Sequence, residues 1–319
     1  PVVILPGFPT SAVFTFHEFV APVIGRLAGR GPASRGTATA RMAVKVNSDV
    51  GRTEYLLVGL VERGDESASP AEKDVRLAAY PMGKGSGAVS EFSLADGFLR
   101  IPATTERLPA GTRVRVEVLS RGLAPADLVT VGSHCVGLDA VLRRLQAEGL
   151  ITKSIHVGSQ GGLAAVRRGE CDLAGIHLMD PETGVYNRPY LSEGMRLVPG
   201  YRRLQGLVFR PEDPRFRHTS SPAEAIAAAL ADPDCIMVNR NAGSGTRVLI
   251  DALLNGAEPP GYAVQAKSHN AVASAVAQGR ADWGMAIDTV ARVYDLGFLP
   301  HQEEHYDFAV PESRWGRAP

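Results

Sequence analysis

Two stretches in the second half of the chain repeat one another, and they constrain its fold more than any other feature. Residues 166–176 carry a helical pattern that ends at Gly169, then an aspartate and an apolar run; residues 276–287 repeat this order around Gly279. Glycine commonly ends a helix. Alternating helices and strands predict parallel sheets, in which ligands bind at the carboxyl ends of the strands. Two such halves predict two lobes that face one cleft.

The turn in residues 239–247 lies where such a cleft would be. It separates an apolar run from the helical pattern of residues 248–254, so the free N–H groups of the helix start point into the turn. Its glycines allow close backbone approach, and its side chains offer hydroxyls and one guanidinium. The residues concerned are Gly243, Ser244, Gly245, Thr246 and Arg247. This set is typical of an anion cradle, although a well-capped helix would use the same residues and Arg247 could simply brace the turn.

Two more serines occupy similar positions. The sequence Val-Gly-Ser closes an apolar strand pattern at Ser133 and again at Ser159, each time where a helix begins. Serine is a good helix N-cap, so a purely structural role is the alternative. Because Ser244 lies in an equivalent turn, we favour one anion site that all three hydroxyls approach.

Three histidines, His134, His177 and His269, also fall near strand–helix junctions. A three-histidine metal site is conceivable, but histidines that line the cleft without a metal are the simpler interpretation. We therefore assign His134 and His177 to the anion site and predict no metal ligands. No G-x-S-x-G sequence supports a Ser–His–Asp set, so no residue is assigned a catalytic role.

The Asp-Pro-Glu-Thr-Gly turn after residue 179 follows a buried strand directly, which places it beside the cleft. A surface loop is the alternative interpretation. Tyr186 and Asn187 could donate hydrogen bonds to an oxyanion, and we assign Tyr186 to the site. Asp180 and Glu182 would repel an anion, so we expect them to point away or to accept from backbone N–H groups.

Composition narrows the class of protein. The 319 residues carry a formal net charge of zero, which implies no general affinity for nucleic acid or for an anionic membrane. No apolar run approaches the length that spans a bilayer. The three cysteines are odd in number and lack metal-site spacing, which is typical of reduced thiols in a cytoplasmic protein.

The first 122 residues read as a strand, a helix and then a small β domain. Residues 2–5 form an apolar run, and residues 16–27 have helical spacing. A buried strand at the very start suggests a fragment of a longer chain. After a linker-like stretch, strand patterns bounded by turn residues predict an all-β domain. The predicted strands cover residues 43–46, 55–61, 75–78, 98–101 and 113–118.

Residues 5–12 read L-P-G-F-P-T-S-A and resemble the L-P-G-[NY]-P-x-S-A motif of the MoeA family, whose members insert molybdate into adenylylated molybdopterin. The β domain also resembles the C-terminal domain of that family, at residues 51–55, 83–87 and 108–112. The resemblance implies a pterin cleft and a homodimer. The positions that carry the cleft over are Pro6, Pro9, Ser11 and Ser86.

Two departures from the family bear on catalysis. Leu57 stands where the family commonly has a second arginine. The acidic residues that hold magnesium in the family lie upstream of Pro1, so any magnesium belongs to that part. We therefore expect this chain to be inactive alone, and whether its parent is an enzyme is left open.

The second half resembles type II periplasmic-binding proteins, and more narrowly the PBP-like domain fused after MoeA, at residues 132–134, 158–163, 177–187 and 239–247. The fold class is therefore multidomain. Residues 1–30 end an α/β MoeA domain, residues 31–122 form a small all-β domain, and residues 123–319 form an α/β two-lobed domain. Residues 127–200 are assigned to lobe one and residues 205–283 to lobe two, and residues 288–308 are expected to return to lobe one.

These resemblances imply a MoeA-like protein of molybdenum cofactor biosynthesis that acts in the cytoplasm. Its two-lobed domain is expected to bind molybdate or tungstate, for insertion or for sensing. The alternative is a non-catalytic regulatory protein that recognises a molybdopterin-type ligand. No nucleic-acid or membrane partner is expected.

Overall fold

The computed structural model describes residues 2–31, 36–64, 75–83, 92, 94–119, 126–180, 182–242, 244–266 and 268–316. It has a helical segment, a small β-barrel and a larger α/β part. The strands, in chain order, are β1 Thr37–Met42, β2 Val46–Asn47, β3 Glu54–Glu62, β4 Leu77–Pro81, β5 Gly97–Ile101, β6 Arg107–Leu108, β7 Arg113–Val118, β8 Leu128–Gly132, β9 Thr152–His156, β10 Ala174–Ile176, β11 Met195–Phe209, β12 Met237–Arg240, β13 Gln265–Ala266, β14 Trp283–Ile287 and β15 Gly297–Pro311.

The helices of the described residues are α1 Pro9–Thr15, α2 Ala21–Leu27, α3 Val136–Ala147, α4 Gly158–Arg167, α5 Pro222–Leu230, α6 Gly245–Leu254, α7 His269–Ala277 and α8 Asp288–Val293. A π-helical turn, Phe16–Val20, joins α1 to α2, so residues 9–27 form one helical rod. The expected helix is confirmed there and begins earlier than the apolar spacing indicates, because Pro9 occupies the first turn, where its missing N–H has no helical partner to lose.

The small β domain is a closed barrel with the strand order β1-β4-β3-β5-β7. Its interior is filled by apolar side chains, among them Leu56, Leu99 and Val116. Strand β7 alternates charged and apolar residues, and its Val116 is fully buried, as a sheet with one wet face requires. Phe14 of α1 packs its ring 4.9 Å from that of Phe98, which fastens the helical rod to the barrel.

The α/β part is built around a six-stranded sheet with the order β10-β15-β11-β14-β12-β13. Strands β8 and β9 pair in parallel beside it, and Thr130 of β8 bridges to Leu173 just ahead of β10. The long strands β11 and β15 run antiparallel along most of their length and pass through both halves. The fold class predicted from the sequence, a small β domain followed by a two-lobed α/β domain, is confirmed.

The barrel packs directly on lobe one. Tyr80 of the barrel shares one apolar core with Val131 and Ile155. Its hydroxyl donates to Glu170, which is 3% exposed and also accepts two hydrogen bonds from Arg168, at 2.8 and 2.7 Å. A buried carboxylate needs such partners, so this contact ties the two domains together.

Three element predictions need correction. Residues 2–5 form no strand, and Val2 is 92% exposed, because no described strand lies beside this run. The strand expected at residues 43–46 lies at Thr37–Met42, since the chain leaves the barrel there to pair Val46 with Leu108 in a separate two-stranded sheet. The return to lobe one begins with β15 rather than at residue 288, because α8 still packs against α7 and β14.

Candidate functional site

The elements of both lobes present polar residues at one place beside the crossing strands. Ser133 follows β8, and His177 follows β10, both in lobe one. In lobe two, Arg240 ends β12, and the helices α6 and α7 begin close by. A Cβ atom built on Gly245 at the start of α6 would lie 4.0 Å from the carbonyl oxygen of His177. The start of α6 therefore faces the end of β10 across the cleft.

A hydrogen-bonded row crosses the lobe-one side of this cleft. Ser133 Oγ lies 2.8 Å from Nε2 of His177, and Nδ1 of the same ring lies 3.2 Å from Oε2 of Glu304 on β15. The ring of Tyr306 stacks on that of His177 at 6.1 Å. The carboxylate can only accept, so it holds the proton of His177 on Nδ1. This Ser–His–Glu row was not expected from the sequence.

Glu304 is 1% exposed and is paired with a buried cation. Arg203 of β11 contacts its Oε1 atom, and Gln205 Nε2 donates to Oε2 at 2.6 Å. These partners keep the carboxylate ionised, and the charge of Arg203 holds the pKa of Glu304 below its usual value although burial opposes this. Among the described residues, Nε and Nη1 of Arg203 have no hydrogen-bond partner.

Arg240 is a second buried cation, 7% exposed, and no carboxylate of the described residues lies within ion-pair distance of it. Its Nη1 lies 3.0 Å from Nδ1 of His269, and its Nε donates to the carbonyl of Ala266 at 3.3 Å. Burial is the largest cause that lowers the pKa of Arg240, to about 10; the charge of Glu304 opposes this, and the charge of Arg203 lowers the pKa further. A buried positive charge without a counter-ion is expensive unless a ligand supplies the negative charge.

The start of α6 adds neutral donors. Ser244 caps the helix by accepting from the N–H of Arg247 at 3.2 Å, so its hydroxyl has the structural role that was the alternative. Thr246 is completely buried, and its Oγ1 has no hydrogen-bond partner among the described residues. A buried hydroxyl without a partner costs about 1–3 kcal/mol. An acceptor in the cleft would remove that cost.

The two guanidinium groups also act on the histidines. Burial is the main cause that lowers the pKa of His177; Glu304 opposes it, and Arg203 and Arg240 add to it. The pKa of His269 is lowered well below its usual value by burial and then by Arg240. Both rings are therefore neutral at pH 7 in the protein alone, and the two guanidiniums disfavour the imidazolium that a nucleophilic Ser–His–Glu set must form.

Other residues assigned from the sequence have structural contacts. Ser159 Oγ accepts from the N–H of His177 at 3.1 Å, and so positions that ring rather than a ligand. Arg247 braces the turn: its Nε donates to both oxygens of Asp251 at 2.7 Å, and its guanidinium lies over the ring of Tyr262. His134 Nε2 lies 2.8 Å from Oδ2 of Asp139.

The loop after β10 is held by its own hydrogen bonds. Asp180 accepts from the N–H groups of Glu182 and Thr183, which confirms the expectation for that carboxylate. Asn187 is fully buried; its Nδ2 donates to Asp307 at 2.7 Å and its Oδ1 accepts from a backbone N–H, so its amide is not free for a ligand. Tyr186 donates to the carbonyl of Glu303 at 3.3 Å.

The predicted pterin-cleft residues belong to the first 86 residues, well before the cleft residues Ser133 and His177 in the sequence. Ser11 lines a cavity of about 550 Å³ between the helical rod and the barrel, together with Tyr55 and Leu57. Pro9 starts α1 and Pro6 is exposed. Ser86 and Gly243 lie outside the described residues.

Four residues of the cluster were not predicted from the sequence: Arg203, Gln205, Arg240 and Glu304. His269 was expected to line the cleft but was not assigned to the anion site. Arg240 adjoins a strand–helix junction, so the rule that located Ser133 could have found it. The other three lie inside long strands, where only the alternation of charged and apolar residues marks an inward-facing polar group. Among the described residues no three His, Cys, Asp or Glu side chains form a metal-binding group, and no helix there is long and apolar enough to cross a bilayer.

Two family models match the chain. Residues 142–319 match the PBP superfamily domain, and residues 39–119 match the MoeA C-terminal region, domain IV. The uncharacterized protein YvgK of Bacillus subtilis (strain 168) is 33% identical over 165 residues, which are 49% of this chain and 51% of that protein. The chain thus spans about half the length of this curated relative.

Solved structures of a MoeA protein and of two proteins of ABC transport systems are similar to parts of the chain. The molybdopterin biosynthesis MoeA protein of Pyrococcus horikosii is 36% identical, with a TM-score of 0.27 over 36% of this chain and 25% of that one. The tungstate ABC transporter of Geobacter sulfurreducens is 16% identical, with a TM-score of 0.42 over 58% of this chain and 84% of that one. An ABC-type phosphate transport receptor of Vibrio cholerae is 14% identical, with a TM-score of 0.40 over 60% and 88%.

Proposed function

The chain belongs to the PBP superfamily domain family and carries a MoeA C-terminal region ahead of that domain, and we propose that its two-lobed part is a receptor for a small oxyanion. The observation that carries the proposal is Arg240, a buried guanidinium without a carboxylate partner among the described residues. An anion in the cleft would neutralise this charge where both lobes meet. Ligands of two-lobed folds commonly bind at such a place and hold the lobes together.

The neutral groups around Arg240 support an oxyanion rather than a bare halide. The start of α6 faces the end of β10 at His177, and among the described residues the Thr246 hydroxyl has no hydrogen-bond partner. Helix starts favour negative charge, and several fixed donors replace the water shell that an oxyanion loses on binding. Ser133 and His177, which are hydrogen-bonded to each other, lie on the opposite lobe.

Within this class we propose molybdate or tungstate as the ligand. The support is the MoeA C-terminal region, which matches residues 39–119 and packs directly on lobe one. A receptor joined to such a domain can deliver or sense the metal oxyanion in molybdenum cofactor biosynthesis. We place this function in the cytoplasm and in a homodimer.

A molybdopterin-type ligand is the second candidate. The cavity of about 550 Å³ beside Ser11 and Tyr55 favours it, because an aromatic wall with polar groups suits a flat heterocycle. With such a ligand, the protein would be a non-catalytic regulator. Calorimetry with molybdate separates the two, since a pterin-only receptor would not bind the free oxyanion.

Replacing Thr246 by valine tests the receptor function with little disturbance of the fold. The hydroxyl has no hydrogen-bond partner in the part of the chain that the structure describes, so Thr246→Val should leave the melting temperature unchanged or raise it slightly. A lost hydrogen bond to a charged ligand is worth about 1.5–3 kcal/mol, so the affinity for molybdate or tungstate should fall at least about tenfold.

The matched control is Thr219→Val, because the Thr219 hydroxyl donates to the carbonyl of Phe216 at 2.8 Å. This variant should lose stability and keep its affinity. The receptor function is wrong if titration calorimetry detects no binding of molybdate, tungstate or sulfate to the parent chain, or if both variants bind them equally well.

A further inference from the structure

We propose that the cleft takes up a doubly charged oxyanion together with one proton, and that His177 holds this proton between Glu304 and Ser133. The inference rests on the proposed receptor function and deepens it, because it fixes the charge of the preferred ligand. It follows from the direction of the hydrogen bonds and from the count of charges in the cleft.

In the free protein, Glu304 sets the direction of the hydrogen bonds around His177. Glu304 is an ionised carboxylate that accepts, so Nδ1 of His177 carries a hydrogen. In a neutral ring Nε2 is then bare, and the hydroxyl of Ser133, 2.8 Å away, must donate to it. Ser133 therefore offers lone pairs, and no hydrogen, to the cleft.

An oxyanion reverses this requirement, because all of its oxygens accept. Ser133 can donate to the ligand only if its hydroxyl hydrogen leaves Nε2. Two lone pairs would then face each other across 2.8 Å, unless Nε2 gains a hydrogen of its own. A proton from solvent bound at Nε2 resolves this conflict: His177 donates to Ser133, and Ser133 donates to the anion. No covalent bond of the ligand forms or breaks.

The charges agree with this exchange. With both imidazoles neutral, the guanidiniums of Arg203 and Arg240 and the carboxylate of Glu304 leave one net positive charge. A proton on His177 makes this two, which matches a dianion. His269 is not the proton site, because its Nδ1 faces the Nη1 donor of Arg240 at 3.0 Å and must stay unprotonated.

Groups on the neighbouring elements keep His177 neutral in the free protein and allow it to be protonated when the anion binds. Arg203 on β11 and Arg240 on β12 oppose the imidazolium, and Glu304 on β15 favours it. Tyr306 on β15 stacks on the ring, and its raised pKa keeps it neutral. Two more groups are His269 on α7 and, after β8, His134, which is paired with Asp139. A bound dianion outweighs both guanidiniums, so it raises the proton affinity of His177.

Titration calorimetry on the whole chain tests this proposal with two anions of the same tetrahedral shape, tungstate with two charges and perrhenate with one. Tungstate should bind with uptake of about one proton, read from the difference in heat between Tris and Hepes buffers. Its affinity should fall about tenfold for each unit of pH between about 7.5 and 9, since one proton is linked to binding. Perrhenate should bind more weakly, without proton uptake and without this pH dependence.

The variant His177→Gln should bind tungstate more weakly, with no proton uptake and a flat pH profile, while His218→Gln at an exposed position should behave as the parent does. Tungstate binding with equal heats in both buffers and constant affinity would overturn the proton uptake and leave the receptor function standing. If tungstate, perrhenate and sulfate all fail to bind, the receptor function and this inference fail together.

Discussion

Replacing Arg240 by methionine should make the ligand-free protein more stable and should remove its affinity for oxyanions. Burial lowers the pKa of Arg240 to about 10, which corresponds to a cost of roughly 3 kcal/mol in the folded state. This cost is fully present at neutral pH and is relieved only as the pH rises through about 10. Methionine fills a similar volume without the charge, and such replacements of buried charges stabilise by about 1–4 kcal/mol.

Thermal unfolding and titration calorimetry on the same variant measure the two effects. The melting temperature should rise by several degrees, and the affinity for tungstate should fall at least about 30-fold, the equivalent of about 2 kcal/mol. Arg202→Met is the control, because Arg202 on β11 is mostly exposed and pairs with Glu303 at the surface. A less stable Arg240→Met variant, or one that binds tungstate as the parent does, would contradict the assigned role.

Glu304→Gln should have the opposite effect on stability. The change leaves Arg203 buried without its carboxylate, and breaking a buried ion pair from one side costs about 3–5 kcal/mol. Glu303→Gln next to it is the matched control, because the Glu303–Arg202 pair is exposed and such pairs contribute less than about 1 kcal/mol. Denaturant unfolding of both variants at pH 7 measures the difference.

The stability of the Glu304→Gln variant can also be measured at acidic pH and in the presence of tungstate. The pKa of Glu304 is lowered from 4.5 in the fold, so its contribution is present above that pH and is lost as the pH falls below it. The parent and the variant should therefore converge in stability on acidification. Tungstate should stabilise the variant at least as much as the parent, since a repelling carboxylate is gone and two positive charges remain. Equal losses in both neighbouring variants, or weaker stabilisation by tungstate, would contradict the account.

The general architecture could be predicted because local patterns specify it. Gly169 and Gly279 both end a helix with a positive φ and lead into a buried strand, as the repeated pattern indicates. The alternation in residues 113–118 likewise predicts a strand with one wet face. The apolar run at residues 2–5 failed as a strand because a strand needs a neighbour, and composition alone does not supply one.

The site could be predicted only in part, because its members come from distant strands. The turn near Thr246 and the serines at strand ends are local signals, and they lead to the edge of the sheet where the candidate site lies. The pairing of Arg203 with Glu304 depends on the register of β11 against β15, which no local pattern encodes. The roles of Ser159 and Arg247 depend on partners, His177 and Asp251, that only the folded chain identifies.

The most direct test of the central claim is the position of tungsten in a crystal of the whole chain grown with tungstate. Anomalous scattering should show one strong site in the cleft, with the oxygens of the anion within hydrogen-bond distance of Arg240 and of the N–H groups at the start of α6. A tungsten site in the cavity beside Ser11, or only on exposed arginines, would contradict the claim that the two lobes form an oxyanion receptor.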